Sequence, residues 1–419
     1  MSKRIAILHY SAPPVVGGVE AVIQAHVRGL IRAGCQVTVV AGKGTRQALP
    51  KGSGFELIPE MDSQHAEILQ CSRELEQGRV PASFEPLTKR LEQILAPVLE
   101  PYDNIIIHNL FTKHFNLPLT TALFRLLDGG ALHGCIAWCH DLSWTSPHSL
   151  PKVHPGYPWD YLRAYHPDVT YVAVSRYRQS ELAGLLRIPQ ENIKVVYDGV
   201  DPQGLLGLTP QGAALIERLG LWESDLIMLM PVRVTQAKNI EFAIQVTAAL
   251  KAHGLRPALI VTGPPDPHDP ANMEYFRGLH ELRGQANLDK EVRFVYESDP
   301  ERDLPFEIDS DRLGELYRFS DLLFLPSHRE GFGMPVLEAG LVGLPVVSAA
   351  VPAAKEIGRQ EVTSLPPKAS PLQAAQLILK LMESSSQYKL RKRVRTEYTW
   401  QAIIKRDILP LLQQAEVVR

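Results

Sequence analysis

Residues 328–350 read HREGFGMPVLEAGLVGLPVVSAA and place Glu330 and Glu338 eight positions apart, around Gly331-Phe332-Gly333. An ionised carboxylate only accepts hydrogen bonds, so such a pair suits a ligand rich in hydroxyl groups. The glycines let backbone amides approach that ligand closely. Pro335 suits the first position of a short helix, Gly343 its cap, and Pro345 bars its continuation. The first amides of such a helix point outward and attract an anion. The stretch therefore fits a ligand that combines phosphate with hydroxyls, with Glu338 about one turn into the helix. The plainer alternative, in which Glu338 only complements the helix dipole, leaves Gly331-Phe332-Gly333 unexplained.

Other residues add to that chemistry. Arg233 closes an apolar run, and Lys238 follows five positions later in VRVTQAKN, before a helix. A rigid guanidinium fork and a point charge at a strand end suit a diphosphate, although two solvated surface cations would look the same. His140 ends the run GCIAWCH, and Gly17-Gly18 lie between a first strand and a helix. That glycine pair lacks the G-x-G-x-x-G dinucleotide pattern, and AGKGT (41–45) lacks the P-loop spacing. Cys135, Cys139 and His140 do not have metal-ligand spacing either, so no metal site is expected.

These residues need strands to carry them. RIAILH (4–9), QVTVVAG (36–42), NIIIHN (104–109), GCIAWCH (134–140), VTYVAVS (169–175) and IKVVYDGV (193–200) read as strands that alternate with helical stretches. DLIMLMPVR (225–233), PALIVTG (257–263), VRFVYE (292–297), DLLFLP (321–326) and PVVSA (345–349) repeat the pattern. Such alternation predicts two parallel, doubly wound α/β sheets, with ligands beyond the carboxyl ends of the strands. The Gly- and Pro-rich segment near 201–210 marks the link, which gives expected domains of 1–203 and 204–399. With a net charge of −2 over 419 residues, the chain lacks the basic surface of a nucleic-acid binder. Four cysteines fit a reducing compartment, no run of eighteen apolar residues occurs, and a cytoplasmic protein is expected.

Taken in order, GGVE after the first strand, CHD, R-x-x-x-x-K, TGPP (262–265) and E-x7-E resemble the retaining nucleotide-sugar glycosyltransferases of GT-B fold, family 4. The resemblance spans nearly the whole chain. In VVYDGVD (195–201), Asp198 stands where the family usually has asparagine. The segment from 400 to 419 resembles the helix that returns to the first domain, and the fold implies two Rossmann-like domains facing a cleft. The resemblance assigns the donor diphosphate to Arg233 and Lys238, with help from Gly17, Gly18, Gly263 and the backbone around Met334, Val336 and Leu337. It assigns the ribose to Glu338, and the donor sugar to Glu330, His140 and the amides near Gly331, Phe332 and Gly333. It implies front-face transfer with retention, no protein nucleophile, no cofactor beyond the nucleotide-sugar co-substrate and no essential metal. The sequence does not choose between GDP-mannose and UDP-glucose types.

For the acceptor, the long connection 141–168 carries Trp144, Tyr157 and Trp159, with Lys152 and Arg163 for an anionic group. The same aromatics could instead pack the loop onto its own domain. GYPWDYLR resembles transferases of compatible-solute synthesis, so a small soluble hydroxylated acceptor is the leading expectation. The basic run Lys389, Arg391, Lys392, Arg393 and Arg395 leaves a lipid or polysaccharide acceptor as the alternative, and a GT-B nucleotide-sugar epimerase is another.

Overall fold

The computed structural model describes residues 2–265, 270–298 and 306–414. It divides into two compact units, Met1–Gly199 with Trp400–Arg419, and Val200–Thr399. The expected helix residues 415–419 lie outside the described residues.

The first unit holds a seven-stranded sheet of β1 (Arg4–His9), β2 (Gln36–Ala41), β3 (Gly54–Leu57), β4 (Asn104–His108), β5 (Cys135–Cys139), β6 (Val169–Ala173) and β7 (Ile193–Val195), in the order β3-β2-β1-β4-β5-β6-β7. Every ladder is parallel. Parallel strands are covered on both faces, which is why β1, β4 and β5 are apolar runs rather than alternating patterns. The strand order reverses between β1 and β4, and a ligand crevice opens at such a switch point.

The second unit repeats the plan with β8 (Leu226–Met230), β9 (Pro257–Val261), β10 (Val292–Phe294), β11 (Leu322–Leu325), β12 (Val346–Ser348) and β13 (Thr363–Ser364), in the order β10-β9-β8-β11-β12-β13. All of its ladders are parallel as well. Its switch point lies between β8 and β11, the strands that lead to Arg233 and Glu330.

The C-terminal segment packs on the first unit. Ile403, Ile404, Ile408, Leu411 and Leu412 join the core that contains Ile5, Ile7 and Val27. Gly29 makes room for them, because a Cβ there would lie 1.7 Å from Ile404 Cδ1.

The basic run is largely occupied within its own unit. Arg395 is buried and bonds both oxygens of Asp321, at 2.9 and 2.7 Å. Arg391 donates to the Arg318 carbonyl, and Lys392 lies 3.4 Å from Asp225. These charges fasten the helix Ser386–Glu397 to the sheet, which removes most of the reason for reading them as a membrane patch. Among the described residues no helix is long and apolar enough to cross a membrane.

Candidate active site

In the second unit, the loops after β8 and β11 are tied together before any ligand is considered. The His328 amide donates to the Ala237 carbonyl at 2.9 Å. Asn239, in the left-handed conformation at φ 53°, donates its amide to the Pro326 carbonyl at 3.2 Å. Lys238 Nζ bonds both oxygens of Glu330, at 2.9 and 2.8 Å. Lys238 and Glu330, assigned to different parts of the donor, are thus each other's partners here. Arg233 is exposed and has no ion-pair partner among the described residues.

Gly333 caps the helix Met334–Leu341 at φ 90°, a left-handed conformation that favours glycine. Among the described residues nothing lies within 4 Å of where a Cβ on Gly331 would stand, which leaves space beside the helix start. Glu338 receives the Tyr317 hydroxyl on Oε2 at 2.5 Å, and the buried Tyr317 fixes the carboxylate's direction. Burial and that hydrogen bond push the Tyr317 hydroxyl far above its ordinary pKa, so it stays a donor. Sequence reasoning missed Tyr317, which resembles any core tyrosine in RLGELYRFSD.

Several expected donor contacts read differently in the structure. Val336 is buried in the core, and its amide donates to the Gly333 carbonyl at 2.9 Å, so both already have partners within the unit. A Cβ on Gly263 would lie 2.5 Å from the Val232 carbonyl oxygen and 2.7 Å from Arg233 Cα. That glycine lets the chain pass close against the Arg233 loop, where its amide donates to the Val232 carbonyl at 3.0 Å. Phe332, Met334 and Leu337 are exposed.

In the first unit, His9 ends β1, His108 ends β4 and His140 follows β5, so three neighbouring strand ends each carry an imidazole. His108 Nδ1 lies 3.0 Å from His140 Nε2. Asn109 Oδ1 accepts from the amides of His140 and Asp141, at 2.9 and 3.1 Å, and so fixes the backbone there. Burial, and then nearby His9, lowers His140 to about 4, so the ring is neutral at pH 7. Asp198 Oδ2 lies 3.9 Å from His140 Nδ1. Desolvation lifts the Asp198 carboxyl to about 6.

The Gly17-Gly18 turn also differs from expectation. The Glu20 carboxylate folds back on it, and a Cβ on Gly17 would meet Glu20 Oε2 at 2.2 Å. Glu20 also accepts from Ser11 at 2.5 Å. A carboxylate beside the first amides competes with a phosphate for them. Gly18 keeps open space.

The 141–168 connection is mostly internal structure. Trp159 is buried among Ile68, Leu75, Phe84 and Leu87. Trp144 donates to the Trp159 carbonyl and lies under the Arg163 guanidinium, 4.1 Å from ring centroid to Cζ. Tyr157 donates to Glu85 at 2.5 Å, and Lys152 pairs with Glu76 at 3.0 Å. The expected acceptor contact from Trp159 is therefore corrected to packing, because its ring is buried within the unit, while Trp144 stays partly exposed. Cys135 and Cys139 lie in the buried strand β5 and are free thiols, with burial pushing both to about 12. Among the described residues no group of three or more His, Cys, Asp or Glu is placed to hold a metal ion.

Residues 16–203 match the family Glycosyltransferase Family 4, and residues 213–398 match Glycosyl transferases group 1. The chain belongs to these group 1 glycosyltransferases of GT-B fold. It is a glycosyltransferase. An uncharacterized glycosyltransferase of Methanocaldococcus jannaschii is 24% identical, over 86% of this chain and 84% of its own. The mannosylglucosylglycerate synthase of Petrotoga mobilis is 26% identical, over 64% of this chain and 65% of its own. The D-inositol 3-phosphate glycosyltransferase of Actinosynnema mirum is 33% identical, over 44% of this chain and 42% of its own. The chain thus spans less than two thirds of the two relatives whose names carry an acceptor or product.

Proposed function

We propose that the protein transfers a hexose, with retention, from a nucleoside-diphosphate sugar to a hydroxyl of a small soluble acceptor. The observation that carries this reading is the pairing of Tyr317 with Glu338 on a helix with space beside its start at Gly331. Tyr317 occupies one lone-pair position of Oε2, which leaves Oε1 and the rest of Oε2 to accept ribose hydroxyls. Arg233, and Lys238 once it shares its protons with Glu330, take the diphosphate. As the anomeric bond breaks, negative charge grows on that diphosphate, so fixed cations favour the transition state over the ground state. The departing phosphate then receives the acceptor's proton, and positioning carries the remaining rate. No essential metal enters this scheme.

A small, polyol-like acceptor is supported by the names of two relatives, one a D-inositol 3-phosphate glycosyltransferase and one a mannosylglucosylglycerate synthase. The test is to incubate the protein with UDP-glucose or GDP-mannose and a panel containing glycerate, glucosylglycerate and inositol phosphate. The products are read by proton NMR at the anomeric position. An α-linked product from an α-linked donor is expected. A β-linked product overturns retention, and release of free epimerised sugar without any acceptor favours the epimerase reading.

A further inference from the structure

We propose that His108 and Asp198 are positioning residues that hold His140 as a single tautomer, with its proton on Nδ1, so that His140 offers a substrate hydroxyl a hydrogen-bond donor and never a base. The substrate half of this inference rests on the reading of His140 as a sugar contact; the tautomer half stands on geometry alone.

The 3.0 Å contact between His108 Nδ1 and His140 Nε2 requires one ring to donate and the other to accept. Among the described residues His108 Nε2 is buried with no hydrogen-bond partner, and neither ring nitrogen of its neighbour His26 has one. If His140 Nε2 were the donor, two costs would follow. The proton of neutral His108 would sit on Nε2, an N–H buried with no acceptor. The His140 Nδ1 lone pair would then face the Asp198 carboxylate at 3.9 Å. If His108 Nδ1–H donates instead, both costs are reduced, because the buried nitrogen then keeps a lone pair in place of an N–H and an N–H in place of a lone pair lies on the side of Asp198. The two ends of the chain therefore select the same proton arrangement independently. His9 is held separately, its Nδ1 donating to the His108 carbonyl at 3.0 Å while its Nε2 lies 4.0 Å from Glu20 Oε1.

The groups facing His140 are His108 and His9 from the neighbouring strand ends, Asp141 beside it, and Asp198 from the segment after β7. With Nε2 occupied by His108, the remaining ring position is the Nδ1–H on the side of half-exposed Asp198. This gives the departure from the family's usual asparagine a consequence. An asparagine amide can present either a donor or an acceptor to Nδ1, whereas a carboxylate selects the N–H.

The test is long-range nitrogen–proton NMR on the full chain with labelled histidine, the His140 signals being assigned by their loss in His140→Gln. Protonated Nδ1 and unprotonated Nε2 are expected at pH 7.5. Protonated Nε2, or a mixture of tautomers in the wild type, overturns the proposal. Asp198→Ala changes an accessible carboxylate and should introduce the second tautomer while lowering kcat about tenfold, with the donor's KM held. His108→Leu should do the same, and His108→Asn, which returns an amide N–H near Nδ1, should restore the single tautomer. An Asp198→Ala spectrum identical to the wild type removes Asp198 from the proposal. If His140→Ala turns over at the wild-type rate, the substrate half fails, whatever the spectra show.

Discussion

Replacing Lys238 by alanine should cost folding stability as well as donor binding, because its partner Glu330 is left behind. The Glu330 side chain is only 9% exposed, and Lys238 is 21% exposed. At their 2.8 Å separation, unit charges attract by about 6 kcal/mol at an effective dielectric near 20. Most of that attraction offsets the desolvation of the two ions, so the pair itself contributes little net stability. Removing one member is different, since it strands the other charge. The cost runs to about 3–5 kcal/mol when both are fully buried and to under about 1 kcal/mol when both are exposed. For this pair, between those limits, about 2–3 kcal/mol is expected for Lys238→Ala. Adding Glu330→Gln removes the stranded charge and should recover about 1 kcal/mol or more. Urea unfolding of the full chain, with hydrogen exchange of peptides from β8 and β11 reporting the second unit, measures both effects. If Lys238→Ala unfolds with the wild type, or the double variant gains nothing over the single, the buried-charge argument is wrong.

Arg233→Ala, by contrast, changes an exposed residue and should leave stability within about 0.5 kcal/mol while lowering kcat by about 10²–10³-fold. If saturating donor restores full kcat, Arg233 only binds. Burial lowers His26 to about 3, so the unfolded chain takes up a proton below about pH 6.5 that the folded chain refuses. Stability therefore falls as pH drops through that window, by about 2 kcal/mol at pH 5 from this residue alone. His26→Phe, which keeps the ring contacts with Trp138 and Trp400, should shrink the difference between urea midpoints at pH 8 and pH 5. Asp198, lifted to about 6, acts in the opposite direction between about pH 4 and 6 and is unchanged in that comparison. Trp159→Ala should destabilise by about 3–5 kcal/mol as a core truncation. A folded, fully stable variant with only a raised acceptor KM would return Trp159 to the acceptor site. Chelation with EDTA should leave turnover unchanged, and a loss restored by one divalent ion would add a metal to the scheme.

The strands that carry the site were legible because they are buried on both faces: β1 coincides with RIAILH, and β4, β5, β8 and β11 sit inside the expected runs. The edge strands β3 and β13 were not, since Gly54–Leu57 is half exposed and Thr363–Ser364 is two residues long. Both owe their conformation to the neighbouring strand, which local pattern does not reveal. The helix start at Gly333 was legible for the opposite reason, because glycine and proline act locally. What a motif cannot display is its partner. Tyr317 lies 21 positions from Glu338, Lys238 lies 92 from Glu330, and His108 lies 32 from His140. The Lys238–Glu330 and His108–His140 pairings arise only when parallel crossovers bring distant strand ends together, and Tyr317–Glu338 only when the helices Ser310–Phe319 and Met334–Leu341 meet. The aromatic loop misled for a related reason, because Trp159 has the composition of a binding face and the environment of a core residue.

The most direct measurement is calorimetric titration of UDP and of GDP into the full 419-residue chain and into its Glu338→Ala variant. One of the two diphosphates should bind the wild type at a single site. The variant should bind it about ten- to a hundredfold more weakly, the loss expected when charge-assisted hydrogen bonds to a ribose are removed. No binding of either diphosphate, or equal affinity in the variant, would contradict the assignment of this helix start and its carboxylate to a nucleotide-sugar donor.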